Sequence, residues 1–240
     1  MENRAAVRAS SDALTAAAVY AVAGTWLAAV SWPDLGLQAL GWGAGALVIG
    51  NAAASVLRRT PCFTTPADRV TLLRAVVVAL CAVVGVPVLL TGARPGPLLV
   101  ILGAVAFLMD GLDGPVARRT GTASAAGARF DTSTDAALVL VLSCANAVTV
   151  GPWTLCLGAL YYFFVAAGRL WPHLRSPLPP RAGSKAIGAF QPFALLLALT
   201  PGLPPVIGVA AAALALPLLV FSFARDIAAL ERLRRVPAPA

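Results

Sequence analysis

Apolar residues in this chain do not alternate with polar ones; they fill long runs near 13–32, 37–57, 70–91, 97–110, 136–151, 153–171, 187–200 and 205–224. A helix needs about 20 mostly apolar residues to cross the hydrocarbon of a bilayer. The runs therefore predict eight membrane helices in an all-α, polytopic protein. The fourth and fifth are short for a span, but both can extend into the polar segment between them, because backbone polar groups stay satisfied wherever a helix continues. Proline and glycine cluster at Trp32-Pro33-Asp34, Gly92 to Pro97, Gly151-Pro152-Trp153 and Pro201 to Pro205, which predicts four turns on one side. The first run follows Arg4 and Arg8 as a signal peptide would, yet Ser31-Trp32-Pro33-Asp34 makes a poor cleavage site. It reads as a retained span.

Composition agrees with this pattern. Of 240 residues, 59% are hydrophobic and 12% charged, with a mean hydropathy of +0.84. That is too little charge to cover a soluble domain of this size. The net charge of +8 would suggest nucleic acid in a soluble protein. Here Arg58, Arg59, Arg69, Arg129, Lys185, Arg225 and most other basic residues fall opposite the four turns, and Arg94 alone lies on the turn side. The positive-inside rule then places both termini in the cytoplasm and explains the basic balance without a nucleic-acid partner. Cys62, Cys81, Cys144 and Cys156 have no CxxC spacing, and neither a disulfide framework nor a zinc site is indicated.

Four of the ten acidic residues sit between the fourth and fifth runs: Asp110, Asp113, Asp131 and Asp135. Residues three or four apart share a helical face. Asp110 and Asp113 thus point together from the end of one helix, and Asp131 and Asp135 from the start of the next. Four carboxylates converging at a membrane boundary repel strongly, and neighbouring cations do not suffice to neutralise them all. Two divalent ions would, and an all-oxygen donor set favours Mg²⁺ or Mn²⁺ over zinc. A metal pair suits phosphoryl-type transfer. Gly114 and Ala117 leave room for a ligand beside the helix backbone, Arg118 can bind phosphate, and Gly127 opens space before the second pair.

These residues resemble the signature of the CDP-alcohol phosphatidyltransferase family, D-x2-D-G-x2-A-R-x8-G-x3-D-x3-D, with every fixed position at its spacing from Asp110 to Asp135. The resemblance extends over roughly residues 64–224. It implies a six-helix core spanning 61–228, preceded by two additional membrane helices in 1–60 and followed by a disordered cytoplasmic tail, 229–240. It further implies a CDP-linked lipid donor such as CDP-diacylglycerol, a hydroxyl acceptor and release of CMP in phospholipid synthesis. Asp110, Asp113, Asp131 and Asp135 match the metal ligands, and Asp135 also matches the general base. Gly114, Ala117, Arg118, Ser124 and Gly127 match the nucleotide site.

Upstream, the stretch from Pro66 to Arg74 is similar to the family's P-N-x-x-T-x-x-R segment. This adds Thr71 and Asp68 to the nucleotide site, with Asp68 standing where the family has Asn. Downstream, Gly183-Ser184-Lys185 and Gln191 are similar to a G-K-x-K-T-x-x-Q segment. Lys185, with Arg169, is the candidate for an acidic group on the acceptor. Two alternatives remain on the sequence: a transporter or cation-binding protein built on the acidic cluster, and the same fold with a soluble CDP-alcohol donor and a lipid acceptor. Family members pair through membrane helices, and Gly41-x-Gly43-x-Gly45 offers a small-residue face for a homodimer.

Overall fold

The computed structural model describes residues 2–59, 63–119, 124–171 and 182–235, with side chains for 6–59, 63–111, 124–171 and 183–232. Helices α1 (Glu2–Ser31) and α2 (Leu35–Leu57) precede α3 (Pro66–Gly85), the single turn α4 (Val88–Thr91), α5 (Pro97–Arg119) and α6 (Ala125–Thr149). A 3₁₀ turn at Pro152–Thr154 leads into α7 (Leu155–Leu170), α8 (Ala182–Leu199) and α9 (Pro205–Arg235). Six helical segments are long and apolar enough to cross a bilayer, and Pro97–Gly111 and Gly183–Leu199 are shorter apolar helices. Together they account for the eight expected runs.

Helix ends differ from the apolar runs for local reasons. Asp34 caps α2 by accepting from the Leu37 amide at 3.0 Å, and Thr65 with Asp68 forms a capping box at the start of α3, where Pro66 takes the first helical position. The third run breaks after Gly85: Pro87 has no amide hydrogen, and α4 stops at Gly92, whose φ of 64° favours glycine. Both α5 and α6 continue through the polar signature, as the backbone argument expects. Helix α9 runs on through 229–235, a stretch expected to be tail, and residues 236–240 lie outside the described set.

Helices α3 and α6 form the interior of the bundle. Val78, Val83 and Leu142 are fully buried there, while Val22, Leu47, Phe163 and Val206 stand exposed on outer helices. An outward-facing apolar surface of this extent belongs to a protein solvated by lipid. Two of the three glycines in Gly41-x-Gly43-x-Gly45 are occupied within the chain. A Cβ at Gly41 would strike the Val83 carbonyl, and one at Gly45 would lie 2.6 Å from the Ala79 carbonyl, so α2 rests directly on the α3 backbone. Gly43 faces open space. Trp32 Nε1 donates to the Val83 carbonyl at 2.9 Å, fixing the α1–α2 turn against α3. Deeper in the bundle, Asn146 Nδ2 donates to the Leu195 carbonyl at 3.1 Å, joining α6 to α8.

Candidate active site

The acidic residues meet because two chain segments converge on α3. Asp110 lies toward the end of α5, while Asp131 and Asp135 stand one turn apart near the start of α6. One carboxylate oxygen from each falls within 4.8 Å of the others. Asp113 lies on the last turns of α5 with Gly114, Ala117 and Arg118; beyond their helical backbone these four are outside the described residues.

Arg74 of α3 sits among these acids, 1% exposed. Its Nη1 donates to Asp110 Oδ1, and its Nη2 donates to Asp131 Oδ1 and lies 3.1 Å from Asp135 Oδ1. Part of the repulsion is therefore offset by the guanidinium that closes the P-N-x-x-T-x-x-R segment, 36 positions before Asp110, to which the sequence reading gave no role. The planar fork of arginine is suited to this, presenting several donors from one charge. Among the described residues of the cluster, one guanidinium faces three carboxylates, which leaves them net negative. All three donors are oxygen, and the cluster holds no His or Cys among the described residues. Such a set fits Mg²⁺ or Mn²⁺.

A cavity of about 600 Å³ opens from Asp110, Asp131 and Asp135 toward α7, α8 and α9. Lys185 lines it from α8, bringing the expected acceptor-binding cation onto the same space as the acids. Pro192, inside α8, also lines it; a mid-helix proline removes a backbone bond and loosens the ladder there. Arg225 of α9 donates to Ser184 Oγ at 2.6 Å, joining the two helices at the rim. Arg169 is exposed near the end of α7 and does not belong to the lining. Tyr161, Ser222 and Asp226 do, and the sequence reading missed them. For Tyr161 and Ser222 the available signal was a polar side chain inside an apolar run; Asp226 lies just beyond the last run.

Of the expected nucleotide residues, Ser124, Gly127, Asp68 and Thr71 are described, and they lie on the first turns of α6 and α3. Ser124 caps α6, its Oγ accepting from the Gly127 amide at 3.0 Å. A Cβ at Gly127 would lie 3.8 Å from Asp68 Oδ1, so Gly127 faces Asp68 closely. Thr71 is one turn along α3 from Asp68, its hydroxyl donating to the Ala67 carbonyl at 3.1 Å. The Asp68 carboxylate is 2% exposed and accepts from Arg59 Nη1 at 2.7 Å, Arg59 Nη2 at 2.8 Å, and the Thr65 amide and hydroxyl at 2.8 Å each. Where the family carries a neutral Asn, this chain carries an acid and supplies its guanidinium from just beyond α2. Substituting Asp for Asn at a buried site demands such a partner. That demand was the clue to Arg59.

Residues 64–221 match the family model described as CDP-alcohol phosphatidyltransferase. No curated protein matches the chain, and no solved structure does. The matched span begins one residue before Thr65 and ends short of Ser222, Arg225 and Asp226, so α1, α2, Arg59 and the last polar lining of the cavity lie outside it.

Proposed function

Since the chain belongs to the CDP-alcohol phosphatidyltransferase family, and is thus a membrane transferase, we propose that it moves a phosphatidyl group from a CDP-linked lipid such as CDP-diacylglycerol to a hydroxyl acceptor, releasing CMP, in phospholipid synthesis. The observation that carries this reading is one cavity whose wall holds Asp110, Asp131 and Asp135 together with Lys185. The acceptor oxygen attacks the β-phosphorus, the bond from that phosphorus to the oxygen of CMP breaks, and Asp135 takes the hydroxyl proton.

Asp110, Asp113, Asp131 and Asp135 would hold two Mg²⁺ or Mn²⁺ ions. When bound, these would neutralise the diphosphate and stabilise the entering and leaving oxygens. Arg74 keeps the carboxylates of α5 and α6 in register by donating to both helices. Ser124, Gly127, Thr71 and Asp68 form the face for the nucleotide, with Gly114, Ala117 and Arg118 completing it. Lys185 meets an acidic group on the acceptor, a role in which a mobile ammonium serves as a point charge. Both termini and the cavity would face the cytoplasm of the cell membrane, the side the basic residues favour.

The test is CMP release by the purified chain with Mg²⁺ or Mn²⁺, supplied first with CDP-diacylglycerol and then with soluble CDP-alcohols, across a panel of hydroxyl acceptors. Release with CDP-diacylglycerol and transfer of its phosphatidyl group to one acceptor is the expected result. Release from a soluble donor alone would reverse the roles of lipid and alcohol, and none with any pair would end the proposal.

A further inference from the structure

Helix α6 carries two chemically opposite faces. Asp131 and Asp135 look into the carboxylate cavity. Ala126, Arg129, Phe130 and Ser133, spaced i, i+3, i+4 and i+7 as one helical stripe, look into a different pocket of about 530 Å³. Across it, Asn51, Ala54, Ser55 and Arg58 form the same spacing on α2. The two cavities share no lining residue. The α2 stripe lies outside the family-matched residues, whereas the α6 stripe and Ser124 lie within them, so the match covers only one wall of this pocket.

Its chemistry is that of an anion site. Arg58, Arg59 and Arg129 line it, with no carboxylate in the wall among the described residues. Arg59 is engaged by Asp68. Arg58 and Arg129 are exposed and have no carboxylate partner among the described residues, which leaves two uncompensated guanidinium groups facing one space. Ser124 adds a hydroxyl whose oxygen already accepts from Gly127, leaving its proton to donate. Phe63 and Phe130 supply an apolar wall, and the Arg59 guanidinium lies 6.0 Å from the Phe130 ring centre. Forked guanidinium donors recognise phosphate oxygens in pairs, and the volume exceeds what a bare phosphate ion needs.

We propose that the pocket between α2 and α6 binds a phosphate-bearing ligand, either the headgroup of an anionic phospholipid or a soluble phosphate ester. None of the acids assigned to chemistry lines the pocket, and of the residues proposed for the nucleotide only Ser124 does among those described, so the site adjoins the transfer site without sharing its carboxylates.

The full chain, in a neutral maltoside detergent with EDTA, is titrated with mixed micelles containing phosphatidylglycerol or phosphatidylcholine, and separately with pyrophosphate. EDTA keeps the carboxylate cavity negative, so anion binding reports on the basic pocket even if the chain catalyses no transfer. At least one anionic probe should bind the unaltered protein. Arg58→Gln with Arg129→Gln should weaken that binding at least about tenfold, while Arg58→Lys with Arg129→Lys, which keeps the charge but loses the fork, falls between the two. Selectivity for phosphatidylglycerol over phosphatidylcholine identifies a lipid headgroup, and binding of pyrophosphate a soluble ester. Should neither anionic probe bind, or should the glutamine pair bind as tightly as the unaltered chain, the proposal is overturned. The unliganded unfolding temperature checks that both variants fold. If the double variant does not, the two single glutamine variants carry the comparison.

Discussion

Arg74 is the residue on which the acidic cluster depends before any metal arrives. Removing it by Arg74→Ala would leave three adjacent carboxylates with their central donor gone. The expected loss of stability lies at the lower end of about 3–5 kcal/mol for breaking a buried pair, because the acids are 35–41% exposed and partly screened by water. Thermal unfolding with and without Mg²⁺ measures this, and the variant should gain more from the ion than the unaltered protein does. Asp135→Asn has a different signature. Loss of the proposed general base should lower CMP release by about 10²–10⁴-fold while CDP-lipid binding remains measurable, since the other carboxylates persist. The convergence of Asp110, Asp131 and Asp135 was legible from spacing, because helical neighbours are a local pattern, while the side chain of Asp113 lies outside the described residues. The place of Arg74 among them was not, although it closes the upstream segment: it is apart from them in sequence, and only packing of α3 against α5 and α6 delivers its guanidinium.

Among the elements, α2 rests on the α3 backbone through its glycines. Gly45→Ala would push a methyl group against the Ala79 carbonyl and the Tyr20 ring. It should cost about 1–3 kcal/mol, as overpacking does. Gly43→Ala meets nothing within 4 Å and should be neutral or stabilise by up to about 1 kcal/mol through helix propensity. Unfolding midpoints of the two variants in one detergent separate these outcomes. Hydropathy located every long helix but misjudged several ends. It reports which residues suit lipid, whereas a helix lasts as long as its backbone bonds do, so α5, α6 and α9 outrun their apolar stretches. In the third run the reverse occurred, and Pro87 divided a segment that remained apolar throughout.

At the scale of the whole molecule, the first two helices are tied to the family core. Asp12 of α1 accepts from Arg69 of α3 at 2.9 Å, and Arg59 closes on Asp68. Asp68→Asn, which restores the family's residue, would strand a guanidinium that is only 7% exposed, and should destabilise the chain by about 3–5 kcal/mol. Adding Arg59→Gln to it should recover part of that loss. A double-mutant cycle by thermal unfolding measures the coupling, and simple additivity would mean the pair does not join the two regions. The departure at Asp68 was visible in the sequence, but its compensation lay outside the resembling stretch and emerged only with the fold.

Helix α6 is gripped at both extremities, by Arg74 on Asp131 near one and by Leu195 on Asn146 toward the other. One residue of axial roll is about 100°, enough to carry Arg129 toward where Asp131 stands and to turn an acid into the basic hollow. The two grips act as an anti-rotation lock, keeping opposite charges on their own sides of a single rod.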